Sequence, residues 1–273
     1  MPRVKNPNRR LTDAQARLAE PHSLADLVTT IIPTIHPPRT LSTVLDCLKR
    51  QTISTKLLIV DTGSPAEEIE TWQKNHEHHT DVSWITFKGE TTINLSQPIA
   101  EALDIAIALC RTPFAFLTHD DTWLTNRTLI AHELDISAKT GARVVGYEMS
   151  EREWITPDWR GMVSHTATLL HVPTAHQANL RWSLIDAITR RPDLAGPGGW
   201  PDTETHFGWS CRAQGIHIEL IGHENNQPHY ADHWLTHRRS YTSHRMYAPQ
   251  EANADTEWID QMIIAVETHA LPY

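Results

Sequence analysis

No run in the chain approaches the ~20 apolar residues that a membrane-spanning helix needs. The N-terminus also lacks the apolar stretch of a secretory signal. A membrane span is therefore not expected, and the expected location is cytoplasmic. Cysteine is scarce: Cys47, Cys110 and Cys211 lie far apart, which implies no disulfide framework. Cys47 and Cys110 fall in apolar helix patterns and are expected to pack in the core. Positive charge is in deficit, with 24 Lys and Arg against 33 Asp and Glu, a net charge of -9 and a pI of about 6.0. That balance excludes free nucleic acid and anionic membrane surfaces as expected partners. A local exception is the group Arg238, Arg239 and Arg245. Glycine is missing after the first apolar run, which continues Pro33-Thr34-Ile35-His36-Pro37-Pro38. A nucleotidyltransferase would place a glycine-rich phosphate loop there, so that class is discounted.

What remains is an ordinary soluble composition, 40% hydrophobic and 21% charged over 273 residues. The length suffices for one large domain or two small ones with a substantial core. Two residue types are abundant: eighteen histidines and ten tryptophans. Tryptophan offers a flat face to sugar or base rings, although most tryptophans pack. Histidine binds metals or moves protons. His76, His78 and His79 sit in a polar stretch and are expected to be solvated.

Hydrophobic periodicity sets out an alternating order. After a polar extension, 1–26, with one short helix near 12–20, residues 27–32 form an apolar strand that Pro33 stops. Leu41, Val44, Leu45 and Leu48 mark an amphipathic helix over 40–51. A strand at 57–60 ends at Asp61. Ser64-Pro65-Ala66-Glu67 then starts a helix, 65–77, with a cap, a proline and a capping-box glutamate. A strand at 82–87, a helix with Ile99, Leu103 and Ala106 on one face, and a strand at 114–117 follow. This order predicts parallel strands with helices on both faces. Later elements are expected at 129–139 (helix), 142–149 and 166–172 (strands), 176–190 (helix), 202–214 (helix stopped by Gly215), 216–221 (strand) and 255–268 (helix). The last helix carries an apolar face of Trp258, Met262, Ile263 and Val266, suited to the core or to a second copy.

The stretch FAFLTHDDTW, 114–123, places His119, Asp120 and Asp121 just past the fourth strand. Ligands bind at strand tips in open α/β sheets, and carboxylates there suit a hard cation. The competing reading is that the aspartates cap the next helix.

The segment VTTIIPTIHPPRTLSTVLDCLKRQTISTKLLIVDTGSP resembles the opening of the inverting family 2 glycosyltransferases of GT-A fold. Ile32-Pro33-Thr34, Gln51-Thr52 and Asp61-Thr62-Gly63-Ser64 carry the likeness. EALDIAIALCRTPFAFLTHDD resembles the family's helix and strand before its Asp-x-Asp motif. GGWPDTETHFGWSCRAQGIHIELIG resembles the later loop and helix that bear the catalytic base. The likeness spans roughly 27–230.

The resemblance implies a mixed, mainly parallel α/β sheet of GT-A type and transfer of a hexose-type sugar (EC 2.4) from a nucleotide-diphosphate donor to an acceptor hydroxyl, with inversion. It implies Mn²⁺ or Mg²⁺ against the diphosphate and a carboxylate base for the acceptor. Pro33, Thr34, Asp61, Thr118, His119 and Asp120 would lie along the donor, with Asp61 accepting from the base. Asp120, Asp121 and His229 would hold the metal. Thr118 stands where the family has its first acidic residue. Glu204 aligns with the base and Asp202 competes with it. Gly199 and Trp200 would face the acceptor. His229, His233 and His237 also have a spacing that suits zinc. The expected organisation is an extension, 1–26, a catalytic domain, 27–221, with donor half 27–121 and acceptor half 122–221, and a C-terminal segment, 222–273. A GT-A protein that binds nucleotide without efficient transfer is the alternative, and a zinc hydrolase ranks third. The donor sugar, the base, the acceptor and any self-association stay open.

Overall fold

The computed structural model describes residues 27–88, 97–149, 161–183, 203–223, 229–238 and 256–268. In chain order these form β1 (Val28–Thr34), α1 (Leu41–Lys49), β2 (Lys56–Asp61), α2 (Ala66–Asn75), a 3-10 turn (Glu77–His79), β3 (Val82–Thr86), α3 (Gln97–Leu109) and β4 (Phe114–Leu117). They continue with β5 (Thr122–Leu124), α4 (Leu129–Thr140), β6 (Val144–Glu148), β7 (Thr168–His171) and α5 (Val172–Gln177). The last are α6 (Thr203–Ala213), β8 (Ile218–His223), β9 (His229–Ala231), β10 (Leu235–Arg238) and α7 (Thr256–Glu267).

One seven-stranded sheet has the order β3-β2-β1-β4-β7-β6-β8. Only β7 runs against its neighbours. The alternating order predicts the parallel strands, and the mixed, mainly parallel sheet is the one that the resemblance implies. Helices cover both faces. Val44, Leu45 and Leu48 of α1 join Leu129 and Ile130 of α4 on one side. On the other side Ala102, Leu103 and Ala106 of α3 lie over Ile31, Val60 and Leu117. β1 and β2 are buried on both faces, which is why neither alternates: β2 reads as an apolar run over 57–60, and β1 as apolar residues with the β-branched Thr29 and Thr30 among them.

Four expectations are corrected. Pro33 does not stop β1, since it pairs with Val60 inside the ladder. Ile31 turns its carbonyl to Thr118 and Thr34 turns its own to Thr62. By alternation Pro33 faces the β4 side, beyond the end of β4, where no strand asks for its missing N–H. The helix expected over 176–190 is instead the short α5 at 172–177, and the described residues 178–183 are not helical. The C-terminal segment, 222–273, for which the sequence pattern marks only the final helix, holds two strands, β9 and β10, which join β5 in a small antiparallel sheet of order β5-β10-β9. Finally, His79 is 4% exposed instead of solvated. It lies in the same stack as Trp72, ring centroids 6.1 Å apart.

Near the C-terminus, α7 docks beside α1. The Arg50 guanidinium donates to the carbonyl of Val266 at 3.0 Å, and Trp258 meets Trp123 edge to face at 5.8 Å. Asp260 and Arg39 form an exposed ion pair.

Glu133 of α4 is fully buried, at 0% exposure. Burial pushes its carboxyl well above the ordinary carboxylate range, against a weaker pull from the Leu169 backbone. The native chain therefore holds this proton where the unfolded chain has lost it. Stability falls as pH rises above the unfolded carboxyl value, until the native group has titrated. Glu133→Gln is expected to match the wild type in thermal melts near pH 4 and to melt higher than it at pH 7–8. Parallel melts across that range check the sign.

Candidate active site

Parallel pairing gathers the expected residues on one edge. Thr34 at the end of β1 is in register with Asp61 at the end of β2. The 118–121 turn follows β4 on the other side of β1.

Asp61 is fully buried, and its carboxylate organises its own turn. One oxygen accepts the amides of Gly63 at 3.0 Å and Ser64 at 2.8 Å. The other accepts the Ser64 hydroxyl. The Ser64 hydroxyl oxygen accepts the His36 amide at 2.7 Å. Gly63 has φ +132°, a conformation that a side chain strains, with Lys88 and Phe87 packed close. The Asp61 carboxylate thus fixes the shape of the β2 tip, and the loops after β1 and β2 are tied together through Ser64.

Asp120 and Asp121 are adjacent and both buried, 4% and 3% exposed. They do different things. The Thr34 hydroxyl donates to Asp120 Oδ2 at 2.6 Å. The Thr40 hydroxyl, just before α1, donates to the Asp120 carbonyl at 2.7 Å. Thr34 at the end of β1 and Thr40 of the β1–α1 connection thus clamp the turn from its β1 side. Asp121 faces the histidines. Its Oδ1 lies 3.2 Å from His237 Nε2 and 3.9 Å from His119 Nδ1. One ligand atom from each of His119, Asp121 and His237 falls within 4.8 Å of the other two. The His119 and His237 rings meet edge-on with centroids 5.4 Å apart. A third ring, His165, lies 4.8 Å from His119.

His237 arrives by strand pairing. In the β5–β10 register it is opposite Thr122, the residue directly after Asp121. His165 arrives by the β6–β7 connection. There the Ser164 amide bonds the Tyr147 carbonyl at 2.8 Å and Ala167 takes φ +48°. Asp232 closes the β9–β10 turn through the amides of Trp234 and Leu235, while the Tyr147 hydroxyl donates to its other oxygen at 2.7 Å.

Of the expected residues, the structure brings together Pro33, Thr34, Asp61, Thr118, His119, Asp120 and Asp121. Thr118, in the position of the family's first acid, is buried at 1%, and its hydroxyl has no hydrogen-bond partner. The histidine placed against Asp121 is His237. His229 lies on β9, with β10 between it and β5, and only its backbone is described. Glu204 lies in the first turn of α6, again with only its backbone described. Asp202, Gly199, Trp200, Arg239 and Arg245 lie outside the described residues. His237 was legible only as one member of a spaced histidine series, and His165 carries no local signal.

The half-buried His119 with the buried Asp121 and His237, on one sheet edge, form a donor set that fits a divalent metal. His119, Asp121 and His237 are the residues that would hold it.

No family model matches the chain, and no curated protein does. Among solved structures the chain is similar to glycosyltransferases. TarS of S. aureus, residues 1–349, is 10% identical with a TM-score of 0.49, covering 80% of this chain and 62% of that one. The mannosyltransferase PcManGT of Pyrobaculum calidifontis, solved with GDP-Man and Mn²⁺, is 15% identical with a TM-score of 0.47, over 80% and 65%. Glucosyl-3-phosphoglycerate synthase of Mycobacterium tuberculosis, solved with Mn²⁺ and UDP-Glc, is 10% identical with a TM-score of 0.48, over 81% and 76%. The chain spans less than two thirds of the first two. Likeness at this level lends no weight to an activity, which has to be argued from the site.

The threonine pair separates the two roles of the edge. Thr34→Val removes the donor to a buried carboxylate and is expected to cost about 1–3 kcal/mol. Thr118→Val removes a hydroxyl with no partner and is expected to be neutral or stabilising. Urea melts of the two variants give the comparison.

Proposed function

We propose that the chain is a glycosyltransferase that moves a sugar from a nucleotide-diphosphate donor to an acceptor hydroxyl with inversion, assisted by a divalent metal. One observation carries this reading: the turn after β4 holds two buried aspartates, one clamped by Thr34 and the other faced by His119 and His237. The sequence resemblance supplies the reaction class. The C-terminal edge of a mainly parallel sheet is a fitting place for a nucleotide.

The groups divide the work. The loops after β1 and β2, shaped by the Asp61 carboxylate, form the floor for the nucleoside. His119, Asp121 and His237 hold the metal, which would neutralise charge on the departing diphosphate. With two imidazoles among the donors, a transition ion fits better than Mg²⁺, which takes oxygen ligands. Asp120 keeps the turn in place through Thr34. Glu204, or Asp202 beside it, takes the proton of the acceptor hydroxyl. The acceptor oxygen then bonds to the anomeric carbon as the bond to the diphosphate breaks on the opposite face. A GT-A protein that binds nucleotide without efficient transfer is the second reading. It is favoured by Thr118, which brings no charge to the position of the first acid.

A thermal-shift panel of UDP, GDP, TDP and CDP, each with and without Mn²⁺, tests the binding half. One nucleotide is expected to raise the melting temperature in a metal-dependent way, equivalent to about 2.7 kcal/mol at a hundredfold excess over Kd. His237→Ala and Asp121→Asn are expected to abolish the metal-dependent part. A shift of equal size without metal sinks the metal assignment, and no shift with any nucleotide sinks the donor assignment. For transfer, Glu204→Gln is expected to lower kcat about 10²–10⁴-fold with nucleotide binding intact. If Asp202→Asn alone does this, the base is Asp202. If neither does, the base is another residue; the binding-protein reading stands if the wild type binds a nucleotide but transfers no sugar.

A further inference from the structure

A second group of side chains with metal-ligand chemistry lies at the other end of the sheet. The 3-10 turn directly precedes β3, so it belongs to the edge where the parallel strands begin. α1 descends from the site edge toward the same place, and Asp46 is in its second half. There one ligand atom from each of Asp46, His78 and His79 lies within 4.8 Å of the other two.

The geometry is built from two sides. His79 Nε2 lies 3.7 Å from Asp46 Oδ1 and 3.2 Å from the Ser42 hydroxyl. His79 Nδ1 is buried with no hydrogen-bond partner. The His78 ring is 4.1 Å from that of His79, and His76 is 6.1 Å from His78. His76 Nδ1 donates to the Trp72 carbonyl at 2.7 Å, which leaves Nε2 of a neutral ring as the coordinating nitrogen. Trp72 stacks on His76 at 4.4 Å and holds its plane. The nearby cation, Lys49, is turned away to Asp81 Oδ1 at 2.6 Å and to the His78 carbonyl at 3.1 Å. Asp81 therefore offsets the charge that would oppose a cation.

We infer that Asp46, His78 and His79, with His76 in reserve, bind a divalent transition-metal ion of the zinc class, clipping the α2–β3 connection onto α1. Imidazole-dominated sites select zinc, nickel or copper over magnesium and calcium. A carboxylate with two or three histidines is a usual zinc set. The ion sits on the sheet edge opposite the candidate active site, so this proposal stands whether or not the transferase reading does.

The test is zinc content after equilibrium dialysis of the full chain, with a cobalt(II) absorption titration alongside. The comparison is wild type against His78→Ala, an exposed position that the fold does not depend on. His217→Ala, an exposed histidine elsewhere, is the control. His78→Ala is expected to bind one zinc fewer per chain and to lose the tetrahedral cobalt absorption of this site. Asp46→Asn is expected to weaken binding about tenfold or more. His217→Ala is expected to match the wild type. Equal zinc content in wild type and His78→Ala overturns the inference. So does an equal loss in His217→Ala, which would mark the binding as non-specific.

Discussion

Two neighbouring carboxylates taken out of water are the constraint on which the site depends. Asp120 and Asp121 would be costly side by side in an apolar interior. The fold separates their surroundings instead. The Thr34 hydroxyl stands against Asp120, from β1, while Asp121 is turned to imidazoles from β10 and from its own turn. Each partner comes from a different element. The strand order, the β1–α1 connection and the small sheet must therefore all be in place before the charge is accommodated. Site and fold are coupled here through electrostatics, not through apolar packing.

The sequence showed the core of this arrangement for a physical reason. β1, β2 and β4 are buried on both faces, and such strands leave runs of apolar and β-branched residues without alternation, up to Thr34, Asp61 and Thr118. The helix α1 is marked by Leu41, Val44, Leu45 and Leu48 because only one of its faces is buried. Where the sequence misled, local pattern was answering a question that tertiary context decides. Pro33 breaks a strand only if a neighbour needs its N–H, and β4 has already ended there. β5, β9 and β10 have three or four residues each, too few to show a period. His79 has polar neighbours in the chain, yet Trp72, seven positions earlier, shares its stack.

The candidate site was legible in the same uneven way. Thr34, Asp61, Asp120 and Asp121 could be named because they terminate recognisable strands. His237 and His165 could not be placed, since their positions depend on the register of a short antiparallel pair and on a loop with a left-handed residue at Ala167. Thr118 raised doubt as a lost acid. Its hydroxyl proves to be buried without a partner, so the position acts as part of the strand end.

The β5–β10 pairing has a consequence for how the chain reaches this state. Thr122 and His237 lie more than a hundred residues apart, and between them the chain forms β6, β7 and β8 of the large sheet. Closing so long a loop costs entropy that a three-residue strand repays poorly, and pairings of such separation form slowly. The parallel half around β1, β2 and β4 can assemble from local crossovers first, leaving Asp121 waiting for its imidazole. The order of assembly would then run from the tips of β1 and β2 to the cluster of His119, Asp121 and His237. The last pairing of the fold is then also the one that completes the candidate site.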